Sequence, residues 1–157
     1  MGGVEPSGLL RGKAAIITGG EGSIGLATAR AFVAEGARVC LIGLLADGMA
    51  AAGICAYATA KHALVGLMRT LAKETAPRGI RVNTIHPGPV DNEFQHRIEV
   101  AATGADRDRA ASIFEEFIPL ARHAAPGEVA RAMLFLASDE SSFVTGATLT
   151  VDGGMSI

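Results

Sequence analysis

The chain has 157 residues, 49% of them apolar and 19% charged, with a formal net charge of −2. That length suits one domain with a real core, and that balance excludes a disordered polyelectrolyte. No cluster of Lys and Arg offers a footing for nucleic acid or an anionic membrane, and the longest apolar run, Gly48 to Ala58, is too short to span a bilayer.

The first twelve residues carry glycines and Pro6 and show no periodicity, so they read as a loose lead-in. No charged start, apolar stretch and cleavage site opens the chain, so no secretory leader is expected. Pro6 also stands where a myristoylation signal needs Ser or Thr. Cys40 and Cys55 lie in apolar surroundings and read as free, buried thiols, which suits a reducing cytoplasmic setting.

Lys13 to Ile17 is a short continuous apolar run, as a buried parallel strand requires. It leads into Thr18-Gly-Gly-Glu-Gly-Ser-Ile-Gly25 and then a helix carrying Leu26, Ala27, Arg30, Ala31 and Val33. Glu35-Gly36 ends that helix, and a second strand follows at Ala37 to Ile42. Strand, glycine turn, helix and strand make a βαβ unit with a right-handed crossover. Gly20-x-Gly22-x-x-Gly25 fits a phosphate-binding turn. Glycines let the backbone approach a pyrophosphate, and the helix start offers free N–H groups and the positive end of its dipole.

The stretch from Gly43 to Ala56 has neither strand alternation nor a helical stripe. A helix follows from Tyr57 to Ala76, stopped by Pro77. Leu64, Val65, Leu67, Met68, Leu71 and Ala72 place apolar groups on more than one of its faces, so burial on two sides is expected. Leu67, Met68 and Leu71 suit a core or a partner helix equally. Near its start, Tyr57 and Lys61 are four residues apart and share a face, with Cβ atoms about 5–6 Å apart. A free tyrosine has a pKa of about 10; a general base at neutral pH needs a value near 7, a difference of roughly 4 kcal/mol. One ammonium about 5 Å away supplies on the order of 3 kcal/mol at an effective dielectric of about 20. The same spacing also occurs on ordinary amphipathic helices, so the pair needs its context.

Arg78 to Ile85 reads as a strand ending in His86-Pro-Gly-Pro-Val90. Residues 91–120 form two amphipathic helical pieces broken at Thr103-Gly104, with Asp106, Arg107, Asp108 and Arg109 on a solvated face. Pro126-Gly-Glu128 opens a last helix with Val129, Met133, Phe135 and Leu136 inward. A final strand, Ala147 to Val151, runs into a turn at Asp152-Gly-Gly154. His62, His86, His96 and His123 share no metal-ligand spacing and read as surface or packing residues, so no metal is expected.

Taken together these segments resemble the short-chain dehydrogenase/reductase family. The resemblance rests on Thr18-Gly19-x-x-x-Ser23-Ile24-Gly25, with Ser23 where that family usually has glycine, and on Tyr57-x-x-x-Lys61. It continues through Arg78-Gly-Ile-Arg-Val-Asn83 with Pro87-Gly88, through Ala137 to Gly146, and through Val151-Asp-Gly-Gly154. It implies an α/β fold, a Rossmann-like doubly wound parallel sheet with strand order 3-2-1-4-5-6-7, binding NAD or NADP at its carboxyl edge. It implies hydride exchange between the nicotinamide and an alcohol or ketone, with Tyr57 moving the proton. Lys61 would lower the tyrosine pKa and hold ribose hydroxyls. Gly19, Gly22, Ser23, Ile24 and Gly25 would line the pyrophosphate and ribose, and Pro87, Gly88 and Val90 the nicotinamide end. Residues 91–120 would be the substrate lid, its Phe94, Ile98, Ile113, Phe114 and Phe117 suiting a moderately apolar substrate. The whole chain, 1–157, would be a single incomplete dinucleotide-binding domain, a homo-oligomer through the Tyr57–Ala76 helix.

The sequence departs from that pattern in its middle. Three βα units of about 30 residues each belong between the second strand and the tyrosine helix, yet only 14 residues separate Ile42 from Tyr57. Strands 3, 4 and 5 are therefore absent, with a seam near Gly43, and two strand pairs, 2-1 and 6-7, remain with open inner edges. The family's Asn-Asn-Ala-Gly loop and catalytic serine go with them, and no serine lies between Ser23 and Ser112. Gly43 stands where the acidic ribose ligand belongs and Asp47 lies four residues further on, so NAD and NADP stay open. Two readings follow: an NAD(P)-dependent oxidoreductase, or a catalytically inactive remnant that binds dinucleotide or serves as an interaction and dimerisation module.

Overall fold

The computed structural model describes residues 8–18, 22–42 and 54–157, the side chains of residues 18, 42 and 54–61 excepted. Gly43 to Gly53, which hold the expected seam and Asp47, lie outside the described residues, as do Gly19 and Gly20. The chain divides into two compact units, residues 1–45 with 125–142 and residues 46–124 with 143–157.

In the first unit, β1 (Ala14–Thr18) and β2 (Arg38–Ile42) pair in parallel, Ala14 opposite Arg38 through Thr18 opposite Ile42. Their crossover is α1 (Ser23–Ala34), which buries the stripe Gly25, Thr28, Ala29 and Phe32 at helical spacing. The helix stops in a Schellman motif: Gly36 takes φ 88°, its N–H donates to Val33 O, and the Ala37 N–H donates to Phe32 O. Phe32 and Ala37 are themselves core residues with Leu10, packed against Ala15, Ile17, Val39, Met133 and Leu134. The last two belong to α5 (Pro126–Ala137), whose Glu128 carboxylate accepts from the Ala125 N–H at 2.8 Å. The Thr28 hydroxyl donates to Ile24 O at 2.8 Å and lies 3.0 Å from Met133 Sδ.

Two expectations fail in this unit. Val129 is fully buried and Met133 and Leu136 are half-buried, but Phe135 is 40% exposed. Two residues beyond Met133 is about 200° around a helix, so Phe135 faces away from α1. Cys40 is exposed, not buried. Strand side chains alternate, and its side of the sheet, shared with Ile16, is bare.

In the second unit, α2 (Ile54–Thr75) gives way to a 3-10 turn, Ala76–Arg78, at Pro77, and Gly79 at φ 71° redirects the chain. Met68 and Ala72 are buried with Val65, Leu71 and Thr75 half-buried, whereas Leu64 and Leu67 are exposed. The helix therefore packs along one stripe, not two. The strand expected from Arg78 shrinks to β3 (Thr84–Pro87), paired in parallel with β4 (Thr148–Val151), Thr84 opposite Thr148. Arg78 is held in the Pro77 turn, and the residues just before β3 are tied by side chains together with one backbone bond, from the Gly146 N–H to Val82 O at 2.8 Å. Asn83 Nδ2 donates to Val144 O and its Oδ1 accepts from the Ala147 N–H, both at 3.0 Å.

Between the two strands lie α3 (Glu93–Thr103) and α4 (Arg107–Glu115). Asn92 caps the first, accepting from the Gln95 N–H, and Asp106 caps the second, accepting from the Arg109 N–H. Gly104 at φ 68° makes the break the sequence predicts. The charged run 106–109 is exposed, with Arg107 3.0 Å from Glu93. The described strands thus form two parallel pairs, the 2-1 and 6-7 pairs of the sequence reading, and not one continuous sheet.

Candidate functional site

The predicted site residues divide between the two units. In the first, the carboxyl end of β1 leads to the start of α1, where Gly22 is the N-cap with φ −73° and ψ 162°. Among the described residues no side chain caps this helix, and its first turn holds no acidic residue. Its leading N–H groups and the positive end of its dipole are a donor set that fits an anionic phosphate group. Ser23 is exposed and Ile24 half-buried at this end. Gly25 is buried in the packing stripe of α1.

In the second unit, Tyr57 and Lys61 lie one turn apart near the start of α2, their side chains outside the described set. Pro87 ends β3 and is exposed. Gly88 donates its N–H to Val151 O at 3.0 Å, and a Cβ placed on it would lie 2.8 Å from Asp152 Cα and 2.7 Å from Asp152 Cβ. Val90 is buried and bridges Ala124: the Ala124 N–H donates to Pro89 O, and the Asp91 N–H donates to Ala124 O. The loop 87–90 is clamped from two sides. Asp152 holds its own turn by accepting from the N–H groups of Gly154 and Ser156, both at 2.9 Å; the Ser156 side chain first, and then these backbone bonds, keep its carboxyl below the usual range. Because backbone must move to admit a methyl, Gly88→Ala is expected to destabilise the protein by about 1–3 kcal/mol, seen as a lower urea midpoint at unchanged slope.

A group of titratable side chains that the sequence reading missed lies next to this loop. Glu99 of α3 is fully buried, and its Oε1 accepts from His123 Nε2 at 2.7 Å and from Gln95 Nε2 at 2.9 Å. His123 Nδ1 stands 3.0 Å from Glu115 Oε1. His96, also buried, stacks at 43° on His123 with centroids 5.6 Å apart, and its Nε2 is 2.9 Å from Asp91 Oδ1. Its Nδ1 lies 3.4 Å from Glu99 Oε2, and neither atom has a hydrogen-bond partner among the described residues. Burial opposes charge on Glu99, but the hydrogen bonds from His123 and Gln95 prevail and lower its pKa. Burial likewise opposes charge on His123, yet its bonds to Glu99 and Glu115 raise its pKa above the ordinary 6.5. The hydrogen bond from His96 lowers Asp91. The three-residue step from His96 to Glu99 was readable as one helical face; the partner 24 residues beyond Glu99 was not. Among the described residues no group of three or more His, Cys, Asp and Glu is placed to hold a metal ion.

The family model described as Enoyl-(Acyl carrier protein) reductase matches residues 41–156. A cyclic-di-GMP-binding biofilm dispersal mediator protein of Escherichia coli is 42% identical over 120 residues, 76% of this chain and 47% of that protein. The 3-oxoacyl-(acyl-carrier-protein) reductase FabG of Salmonella typhimurium is 39% identical over 118 residues, 75% of this chain and 45% of its own length. The chain therefore spans about half the length of the curated relatives it matches. In structure it is similar to a C-terminal deletion mutant of Thermoplasma acidophilum aldohexose dehydrogenase, with a TM-score of 0.83 at 25% identity, covering 94% of this chain and 98% of that one. The two strand pairs with their α1 crossover, the order of the elements and these matches have one source: the chain belongs to the short-chain dehydrogenase/reductase family.

Proposed function

We propose that the protein is an NAD(P)-dependent oxidoreductase interconverting an alcohol and a carbonyl, a single dinucleotide-binding domain over 1–157. The observation that supports the reading best is the start of α1, where among the described residues no side chain caps the helix and the first turn holds no acidic residue. A bound nicotinamide would supply or accept the hydride. Gly19, Gly22, Ser23, Ile24 and Gly25 would hold the phosphates and ribose, and Pro87, Gly88 and Val90 the nicotinamide end. Tyr57 moves the substrate proton, and the Lys61 ammonium lowers its pKa. Residues 91–120 cover the substrate, and the exposed Phe94, Phe117 and Leu120 offer it apolar surface. With no serine between Ser23 and Ser112, one donor to the reacting oxygen is missing, which lowers the rate by about 10²–10³.

A second reading has its own observation. Leu64 and Leu67 leave α2 with an exposed apolar stripe, which suits a homo-oligomer and a role in dinucleotide binding or dimerisation without turnover. Titrating the full chain with NADH and NADPH by fluorescence, together with a turnover assay on aldehydes and ketones, separates the two. Saturable binding with turnover supports the enzyme; binding alone supports the second reading. No saturable binding of either dinucleotide would falsify the first.

A further inference from the structure

The fully buried Glu99 lies at a place where two helices meet through one side chain. His123 Nε2 is 2.7 Å from Glu99 Oε1 on α3, and His123 Nδ1 is 3.0 Å from Glu115 Oε1 on α4. A carboxylate only accepts hydrogen bonds, and a neutral imidazole has one N–H to give. Holding both carboxylates at these distances requires both ring nitrogens to be protonated.

The geometry points to His123 as a proton-operated clasp that fastens α3 to α4 while its ring carries both protons and releases α4 when one proton leaves. This inference goes beyond the oxidoreductase reading and does not depend on it. The direction of release follows from burial. Glu99 has no access to water and keeps the shorter bond, whereas the Glu115 side chain is 37% exposed and can turn to solvent. A neutral ring would present a lone pair to Glu115, and a lone pair facing a carboxylate repels it. The other charged or titratable groups packed around the ring leave this order unchanged. His96 of α3 stacks on the ring and meets Asp91 through Nε2. Asp91 feels the charges of both histidines and of Arg107 on α4, which pairs with Glu93 of α3. Arg122 Nη1 donates to the His123 carbonyl, 3.0 Å away.

The sign follows from the directions of the pKa changes. His123 is raised, so its contribution is whole below the ordinary 6.5 and is lost as pH climbs through its higher value in the fold. Glu99 and Asp91 are lowered, so theirs is whole above the ordinary 4.5 and 3.8 and is lost in acid. The α3–α4 junction is thus tightest from weak acid to neutrality and loosens in alkali.

The test uses the full chain with imidazole nitrogen NMR and amide hydrogen exchange, rates being divided by the chemical exchange rate at each pH. At about pH 6 both His123 nitrogens are expected to be protonated, and by about pH 9 protection of α4 falls about tenfold for each pH unit by which the folded pKa exceeds 6.5. The helix α5 keeps its protection. In Glu115→Gln the amide accepts from one ring form and donates to the other, so the alkaline step disappears. A neutral His123 at pH 6, equal α4 protection at both pH values, or an undiminished step in Glu115→Gln overturns the clasp. Should that variant not fold, the two wild-type measurements decide alone.

Discussion

Tyr57→Phe is expected to remove cofactor-dependent turnover while leaving NADH or NADPH binding in place. Proton transfer by a positioned side chain contributes about 10²–10⁴ in rate, equivalent to roughly 3–5 kcal/mol of barrier. Phenylalanine keeps the ring and the helix but has no proton to exchange. Lys61→Met should lower turnover as well, by returning the phenol to its ordinary acidity, and should also weaken dinucleotide binding if the ammonium holds ribose hydroxyls. The readout is nicotinamide absorbance for turnover and fluorescence for binding. Retained turnover in Tyr57→Phe would remove Tyr57 from the mechanism. Loss of binding in the same variant would mean that the helix, not the phenol, had been damaged.

The second large effect is on stability. Glu99→Ala should lower the melting temperature by on the order of 10 °C, because stranding one partner of a buried ion pair costs about 3–5 kcal/mol. The change leaves the His123 ring with one carboxylate where it has two and the Gln95 amide without its acceptor, at a position where Glu99 is fully buried. Glu115→Ala, on the partly exposed side of the same ring, should cost about 1 kcal/mol or less. Calorimetry on the two variants compares them directly. Equal melting temperatures for wild type and Glu99→Ala would show that the buried pair adds nothing. A melting temperature rising in alkali would contradict the sign worked out for His123.

The elements were readable wherever local chemistry sets them. Gly36, Gly79 and Gly104 turn the chain because they occupy left-handed backbone, and Pro77 and Pro126 mark a helix end and a helix start. The Gly104 break lies where punctuation places it, and the two strand pairs are those that the family resemblance implies. The strand expected from Arg78 was too long because Asn83 and Thr145 replace ladder bonds by side-chain bonds, which no apolar pattern reveals. Leu64 and Cys40 were expected inside because they are apolar, and Leu67 in a core or against a partner helix; their exposure depends on what packs beside them.

The candidate site divides in the same way. The glycine turn, the Tyr57–Lys61 step and the Pro87-Gly88 loop are local spacings, so the amino-acid sequence by itself determined their order and their family. What only the tertiary structure decided is how the loop 87–90 is held and what α3 and α4 share. Gly88 has no room for a methyl because Asp152, 64 residues away, occupies it. Glu99 could be read as one more helical carboxylate until His123 was placed against it. Contacts between residues far apart in the chain leave no periodic trace, and the charge state of a buried group is set by such contacts.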